Sequence, residues 1–238
     1  MQDQNSDYPD LLEVRARIQA GDAVLDGDLM IPICANGIVL FAHGSGSSRQ
    51  SPRNMSVARV IREAGVGTLL FDLLTREEEA VDVFSRHLRF DIELLTTRLI
   101  EATNWVAGQD VTRDLGIGYF GSSTGAAAAL MAAARLREKI GAVVSRGGRP
   151  DLACAAASLV RAPTLLIVGE RDESVVELNQ EAYARMRCEK EMRIIPGATH
   201  LFEEPGALEQ VAHFAAHWFK DHLQSQTPRF NAAGGGRR

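Results

Sequence analysis

Short apolar runs that end in Gly, Ser or Asp alternate along this chain with longer stretches whose apolar positions recur at helical spacing. The first pattern suits strands buried on both faces and the second amphipathic helices, so their alternation predicts parallel strands joined by crossover helices. The runs are Gly37 to His43, Gly67 to Leu73, Leu115 to Gly121, Gly141 to Ser145, Pro163 to Gly169 and Met192 to Pro196. Ahead of them, Val14 to Ile18 and Ala23 to Ile31 alternate with period two and contain Asp26-Gly27, a turn dipeptide, which predicts an antiparallel hairpin at a sheet edge. Helices are expected over Asn54 to Ala64, Phe90 to Val106, Thr124 to Leu136, Asp151 to Val160, Ser174 to Met186 and Pro205 to His222. In the last of these Leu208, Val211, Phe214 and Trp218 share one face, which assigns them to the core. Pro205 suits the first turn of that helix.

A length of 238 residues fits one α/β domain, expected over residues 11–223, with a flexible N-terminus over 1–10 and a disordered tail over 224–238. With 45% hydrophobic and 24% charged residues, the chain can bury a sizeable core. Its net charge of −5 supplies no global positive field, which argues against nucleic acid or an anionic membrane as partner. Cys34, Cys154 and Cys188 are odd in number and far apart, which suits buried reduced thiols better than disulfides. The acidic start lacks the basic and apolar regions of a signal peptide, and no apolar stretch approaches the ~18 residues of a membrane span. A cytoplasmic location is the expectation.

The chemistry concentrates at Gly121-Ser122-Ser123-Thr124-Gly125, between the run ending at Gly121 and an Ala-rich helix. In a strand–turn–helix of the form G-x-S-x-G the serine is held in a strained conformation with its hydroxyl exposed above the sheet, which assigns the nucleophile to Ser123 and not Ser122. The alternative is a glycine-rich turn for close helix packing, or an anion-binding helix N-terminus. Serine is a poor nucleophile at neutral pH, so a base must take its proton and an acid must orient that base. Asp172 follows the strand Pro163 to Gly169, and His200 follows Met192 to Pro196, in the Ser, Asp, His order that such a site uses. Glu170 and Glu173 are rival acids. His213, His217 and His222 lie within the last helix, and His87 sits in a charged stretch; none leaves a strand end.

The backbone N–H groups of Thr124 and Ser45, the latter in His43-Gly44-Ser45-Gly46, are the expected oxyanion-hole donors. His43 is expected to brace that loop rather than carry protons. Arg146 and Arg149 follow the run Gly141 to Ser145, on the edge where the site lies. They could clamp a carboxylate or phosphate of the substrate, or pair with Asp151, Asp91 or another acid. Arg49, Arg53 and Asn54 share that ambivalence.

Through His43-Gly44-Ser45, Gly121 to Gly125, Asp172 and His200, the chain resembles the dienelactone hydrolase-like branch of the α/β hydrolases over nearly all its folded length. The phrases Ser145-Arg146-Gly147-Gly148-Arg149-Pro150-Asp151-Leu152 and Pro196-Gly197-Ala198-Thr199-His200-Leu201-Phe202 are similar to those of a bacterial subgroup often fused to phosphoribosyltransferases. The acidic pair leading a phosphate-binding loop that marks those transferases is absent. The family's namesake uses a cysteine nucleophile where this chain has Ser123.

The resemblance implies an α/β-hydrolase fold with a mostly parallel sheet, helices on both faces and no cap domain. The expected function is hydrolysis of carboxylic esters through an acyl-enzyme, with no metal, no cofactor and a small-molecule ester as the partner. The same triad permits acyl transfer or amide cleavage, and the fold also serves non-catalytic binding proteins. Only Arg146 to Ala162 separates the fourth and fifth runs, too little for a lid, so an open cleft and short or compact substrates are expected.

Overall fold

The computed structural model of the chain describes residues 11–153 and 155–223. The terminal segments 1–10 and 224–238, and Cys154, lie outside the described residues. Eight strands, β1 (Leu11–Ala20), β2 (Ala23–Pro32), β3 (Gly37–Ala42), β4 (Gly67–Phe71), β5 (Gly116–Ser122), β6 (Ile140–Arg146), β7 (Thr164–Gly169) and β8 (Lys190–Ile195), form one sheet in the order β1-β2-β4-β3-β5-β6-β7-β8. The strands from β3 to β8 run parallel, and the hairpin of β1 and β2 joins antiparallel to β4.

Among the described residues six α-helices flank the sheet: α1 (Pro52–Glu63), α2 (Arg76–Ser85), α3 (Ile92–Gly108), α4 (Thr124–Leu136), α5 (Glu173–Arg185) and α6 (Ala207–His222). Side chains of β3, β5 and β6 alternate between two cores. Leu40, Tyr119 and Val143 pack with α3 and α4, whereas Val39, Phe120 and Val144 pack with α1 and α6. Trp218 is buried there, its indole N–H donating to the Pro163 carbonyl at 3.3 Å. Both faces of the central strands are therefore apolar, which is why they read as continuous runs.

Four expectations need correction. The hairpin turns at Gly21-Asp22, with Ala20 opposite Ala23, and Asp26-Gly27 lies inside β2. A Cβ at 27 would lie 3.1 Å from the Cβ of Phe71 on β4, a tight approach that glycine avoids. The helix expected over Asp151 to Val160 is two 3₁₀ segments, Pro150–Ala153 and Ala156–Leu159. A short crossover must return the length of a strand, and a 3₁₀ turn rises ~2.0 Å per residue against ~1.5 Å in an α-helix. The last helix begins after Gly206, so Pro205 lies outside it. Cys34 is exposed and Cys188 half-buried, so neither is the buried thiol expected.

Helix α2 is absent from the sequence expectation because its polarity is inverted. Asp82 is buried while Val81, Val83 and Phe84 face solvent. The Asp82 carboxylate accepts from the Arg89 side chain at 2.5 Å and from the Leu88 N–H at 2.7 Å, which explains its burial. The legible signal was the capping box, in which Thr75 and Glu78 exchange side-chain and backbone hydrogen bonds. Among the described residues no helix is long and apolar enough to cross a membrane.

Candidate active site

Strand β5 lies between β3 and β6, and the chain reverses its direction of travel across the sheet at β3 and β5, so the loops beyond their C-terminal ends diverge. Ser123 occupies the turn from β5 into α4 with φ 50° and ψ −118°, a conformation that non-glycine residues rarely adopt. The turn is possible because the chain is stripped of side chains around it. A Cβ on Gly121 would lie 2.5 Å from the Ala126 Cα, and one on Gly125 would lie 2.1 Å from the Ala42 carbonyl oxygen. The Ser123 N–H donates to the Arg146 carbonyl at 3.2 Å, and the Ser123 carbonyl accepts from the Arg149 N–H at 3.2 Å, which ties the elbow to the loop after β6.

Asp172 and His200, 28 positions apart in sequence, meet at this edge. The Asp172 Oδ2 and His200 Nδ1 lie 2.5 Å apart, with Asp172 mostly buried and His200 about 37% exposed. Assigning the Nδ1 proton to that bond leaves Nε2 as the basic nitrogen. The rival Glu170 is occupied otherwise: its carboxylate accepts from the Gly197 N–H at 2.7 Å and so holds the loop that carries His200. Glu173 is the first residue of α5.

Two supports escaped the sequence reading. Gly147, at φ 51°, packs its backbone against the His200 ring. Asn179, buried on α5, donates to the Gly148 carbonyl at 2.9 Å and the Val175 carbonyl at 2.8 Å, holding the loop over which the imidazole sits. Its signal was one amide between Val175 and Ala182 on the buried face of the helix.

The Ser45 loop lies against the elbow, since a Cβ on Gly44 would be 3.1 Å from the Ser122 carbonyl oxygen and from the Ser123 Cβ. The two expected oxyanion donors are neighbours, but the Ser45 N–H already donates to the Thr124 hydroxyl at 3.0 Å. It would have to exchange that bond to receive an oxyanion.

His43 is buried beneath the loop. Its Nε2 accepts from the Leu73 N–H at 3.0 Å, which places the proton on Nδ1 beside the Gly44 carbonyl at 3.1 Å. Burial holds this imidazole below its usual range despite the attraction of Asp72 and Glu79. The unfolded chain therefore binds a proton that the folded chain resists. This contribution to stability is complete above the unfolded pKa of ~6.5 and is lost as pH falls through it. Urea unfolding at about pH 7.5 and about pH 5.5 should show a larger loss for the wild type than for His43→Gln. Equal losses would place the pH dependence elsewhere.

The arginines separate. Arg149 forms a two-pronged ion pair with Asp151 at 2.8 and 2.7 Å, the pairing expected as the alternative to a contact with substrate. Arg49 pairs with Asp72 and with Asp28, and Arg53 with Glu203 at 3.0 Å. Arg146 is buried without a carboxylate partner among the described residues. No cluster of three His, Cys, Asp or Glu side chains among the described residues could hold a metal ion.

A mostly parallel sheet with a serine on a left-handed strand-to-helix turn, and an Asp–His pair on the loops after its last two strands, defines an α/β-hydrolase fold. Residues 26–232 match the dienelactone hydrolase family, and the chain belongs to it. A dienelactone hydrolase from Anabaena variabilis is 54% identical with a TM-score of 0.89, and the match covers 90% of this chain and 100% of that one. Two Mycobacterium tuberculosis proteins, provisionally named phosphoribosyl transferases, are 56% identical over 92% of this chain. The chain spans about half the length of these curated relatives, 49%. A cold-adapted esterase from an Arctic intertidal metagenomic library shares the fold at 15% identity, with a TM-score of 0.71 over 93% of this chain and 98% of that one.

Proposed function

We propose that this chain is a serine hydrolase that cleaves carboxylic esters of short or compact substrates through an acyl-enzyme on Ser123. The observation that carries the reading is the Asp172–His200 hydrogen bond at the same sheet edge as a serine held at positive φ. The Ser123 Oγ attacks the carbonyl carbon while His200 Nε2 takes its proton, and negative charge collects on the former carbonyl oxygen. The Thr124 N–H, at the positive end of α4, and the Ser45 N–H are the donors proposed for that oxygen. Collapse breaks the bond to the alcohol, which leaves with the proton from His200. Water then repeats the sequence, releasing the acid and restoring Ser123.

Substrate size follows from what surrounds the serine. Only two 3₁₀ segments separate β6 from β7, and the cleft lined by Gly44, Ser45, Leu74 and Thr124, which borders the elbow at Thr124 but is lined by none of Ser123, Asp172 and His200, has a volume of about 20 Å³. A groove of about 1000 Å³ lies between the hairpin and α1, and none of Ser123, Asp172 and His200 lines it. A long acyl chain would remain in water, forgoing ~0.8 kcal/mol of binding per methylene.

With p-nitrophenyl esters of graded length, kcat/KM should be highest for the shortest chains, and the rate should not jump once substrate exceeds its solubility. Faster hydrolysis of long-chain esters would reject the size assignment. A fluorophosphonate probe should label the wild type and spare Ser123→Ala, and an unlabelled wild type would reject the nucleophile. The name of the mycobacterial relatives is not carried over, because this chain spans 49% of their length.

A further inference from the structure

On the sheet face covered by α1 and α6, directly beside the nucleophile, four buried polar atoms lack a hydrogen-bond partner among the described residues. They are Arg53 Nε, Asn54 Oδ1, Ser122 Oγ and Arg146 Nη1. Their proximity follows from the fold. Ser122 and Arg146 are register partners on β5 and β6, and paired residues project from the same face. That face carries Phe120, and the Arg146 guanidinium lies 5.9 Å from the centre of its ring. Phe120 belongs to the same core as Val57, Ala58 and Ile61 of α1, whose first turn contains Arg53 and Asn54.

Arg146 is the residue that requires a reason. It is only 8% exposed, and a buried charge is normally paired because burial strips its hydration. Burial, followed by repulsion from Arg53, lowers its pKa to about 10, which leaves it charged at neutral pH. The Arg53 side chain is 34% exposed and holds Glu203 with Nη1 while its Nε is buried and unpartnered, so movement of this side chain is what would open the cluster to solvent. The helix end adds a second feature of the same sign. Ser51 makes no side-chain cap bond, so the first N–H groups of α1, a helix of 12 residues, lack that partner.

We propose that Arg146, Arg53, Ser122 and the first turn of α1 form a binding site for a phosphate group next to Ser123. Donors arrive from β6, β5 and α1, an arrangement that the oxygens of a tetrahedral oxyanion, spread over more directions than the two coplanar oxygens of a carboxylate, match better. Rotation of the Asn54 amide would present its NH₂ in place of the unpaired oxygen. Taken with Ser123 as nucleophile, a reading on which this further step rests, the site selects an ester that carries a phosphate group. Ser122 and Ser123 are adjacent, so anion and scissile carbonyl would be held within one compact molecule.

Calorimetric titration of the full chain with inorganic phosphate at low salt tests the site without reference to catalysis. One phosphate should bind per chain, more tightly than acetate, and Arg146→Gln and Arg53→Gln should each weaken it at least about tenfold. Circular dichroism and melting establish whether Arg146→Gln folds; Arg53→Gln, at a partly exposed position, keeps the test decisive if it does not. No binding, unchanged binding in the folded variants, or acetate binding as tight as phosphate would overturn the proposal. Ser123→Ala should still bind phosphate, so loss of the esterase reading and loss of this site are separable. With p-nitrophenyl acetate as substrate, phosphate should raise KM without changing kcat. A fall in kcat at constant KM would assign the site to free phosphate and overturn its role in substrate choice.

Discussion

Replacing Ser123 with alanine should lower ester hydrolysis by ~10⁴-fold or more while leaving the fold intact. The size of the loss follows from the proposed mechanism: without Oγ no acyl-enzyme would form, and the remaining donors could only polarise a carbonyl for attack by water. Stability offers an independent check on the geometry. At φ 50° and ψ −118° any side chain is strained, at a cost of ~1–3 kcal/mol, and glycine relieves that strain. Ser123→Gly should therefore be as inactive as Ser123→Ala but should melt at a higher temperature. Equal or lower melting of Ser123→Gly would show that the turn is not strained as described.

The second large effect is on folding. Gly125→Ala would place a methyl group 2.1 Å from the Ala42 carbonyl oxygen and 2.5 Å from that of His43. Both are backbone atoms, at the last residue of β3 and the one after it, and cannot swing aside as a side-chain tip would. Relief requires α4 to move off β3, and α4 buries Ala126 to Leu130 there. The expected loss is ~3 kcal/mol or more, at or beyond the upper end for overpacking. Gly108, at the end of α3, is the control: nothing lies within 4 Å of a Cβ there, so Gly108→Ala should be neutral or stabilise by up to ~1 kcal/mol. Chemical denaturation of both variants measures the difference. A Gly125→Ala protein as stable as Gly108→Ala would mean that the elbow is not packed this closely.

Much of the candidate site was legible because its information is local or ordinal. A glycine two residues either side of Ser123 marks a turn without side chains, whatever the rest of the chain does. Asp172 and His200 could be selected because each follows an apolar run, and in a parallel sheet every such end lies on one edge. The periods of the strands and of α4 survived because burial on a sheet or helix face repeats at a fixed interval along the chain. Where that link between burial and hydrophobicity fails, as in α2 with Asp82 inside and Phe84 88% exposed, periodicity carries no signal.

What the tertiary structure alone decided is which charges meet. Arg146 and Arg149 lie three positions apart and read alike in sequence, yet one has a carboxylate two residues away and the other is enclosed by Phe120 and α1. Asp82 waits for Arg89, His43 for the Leu73 N–H, and Asn179 for a carbonyl 31 residues away. Hydrogen bonds and ion pairs act over a few ångströms, so their partners are set by how helices and loops pack across the sheet. Strand and helix periods are set by backbone geometry within one segment, which is why the sequence by itself determined the strands, most of the helices, the elbow and the order of Ser123, Asp172 and His200, and the packed chain determined which polar groups are spent on structure.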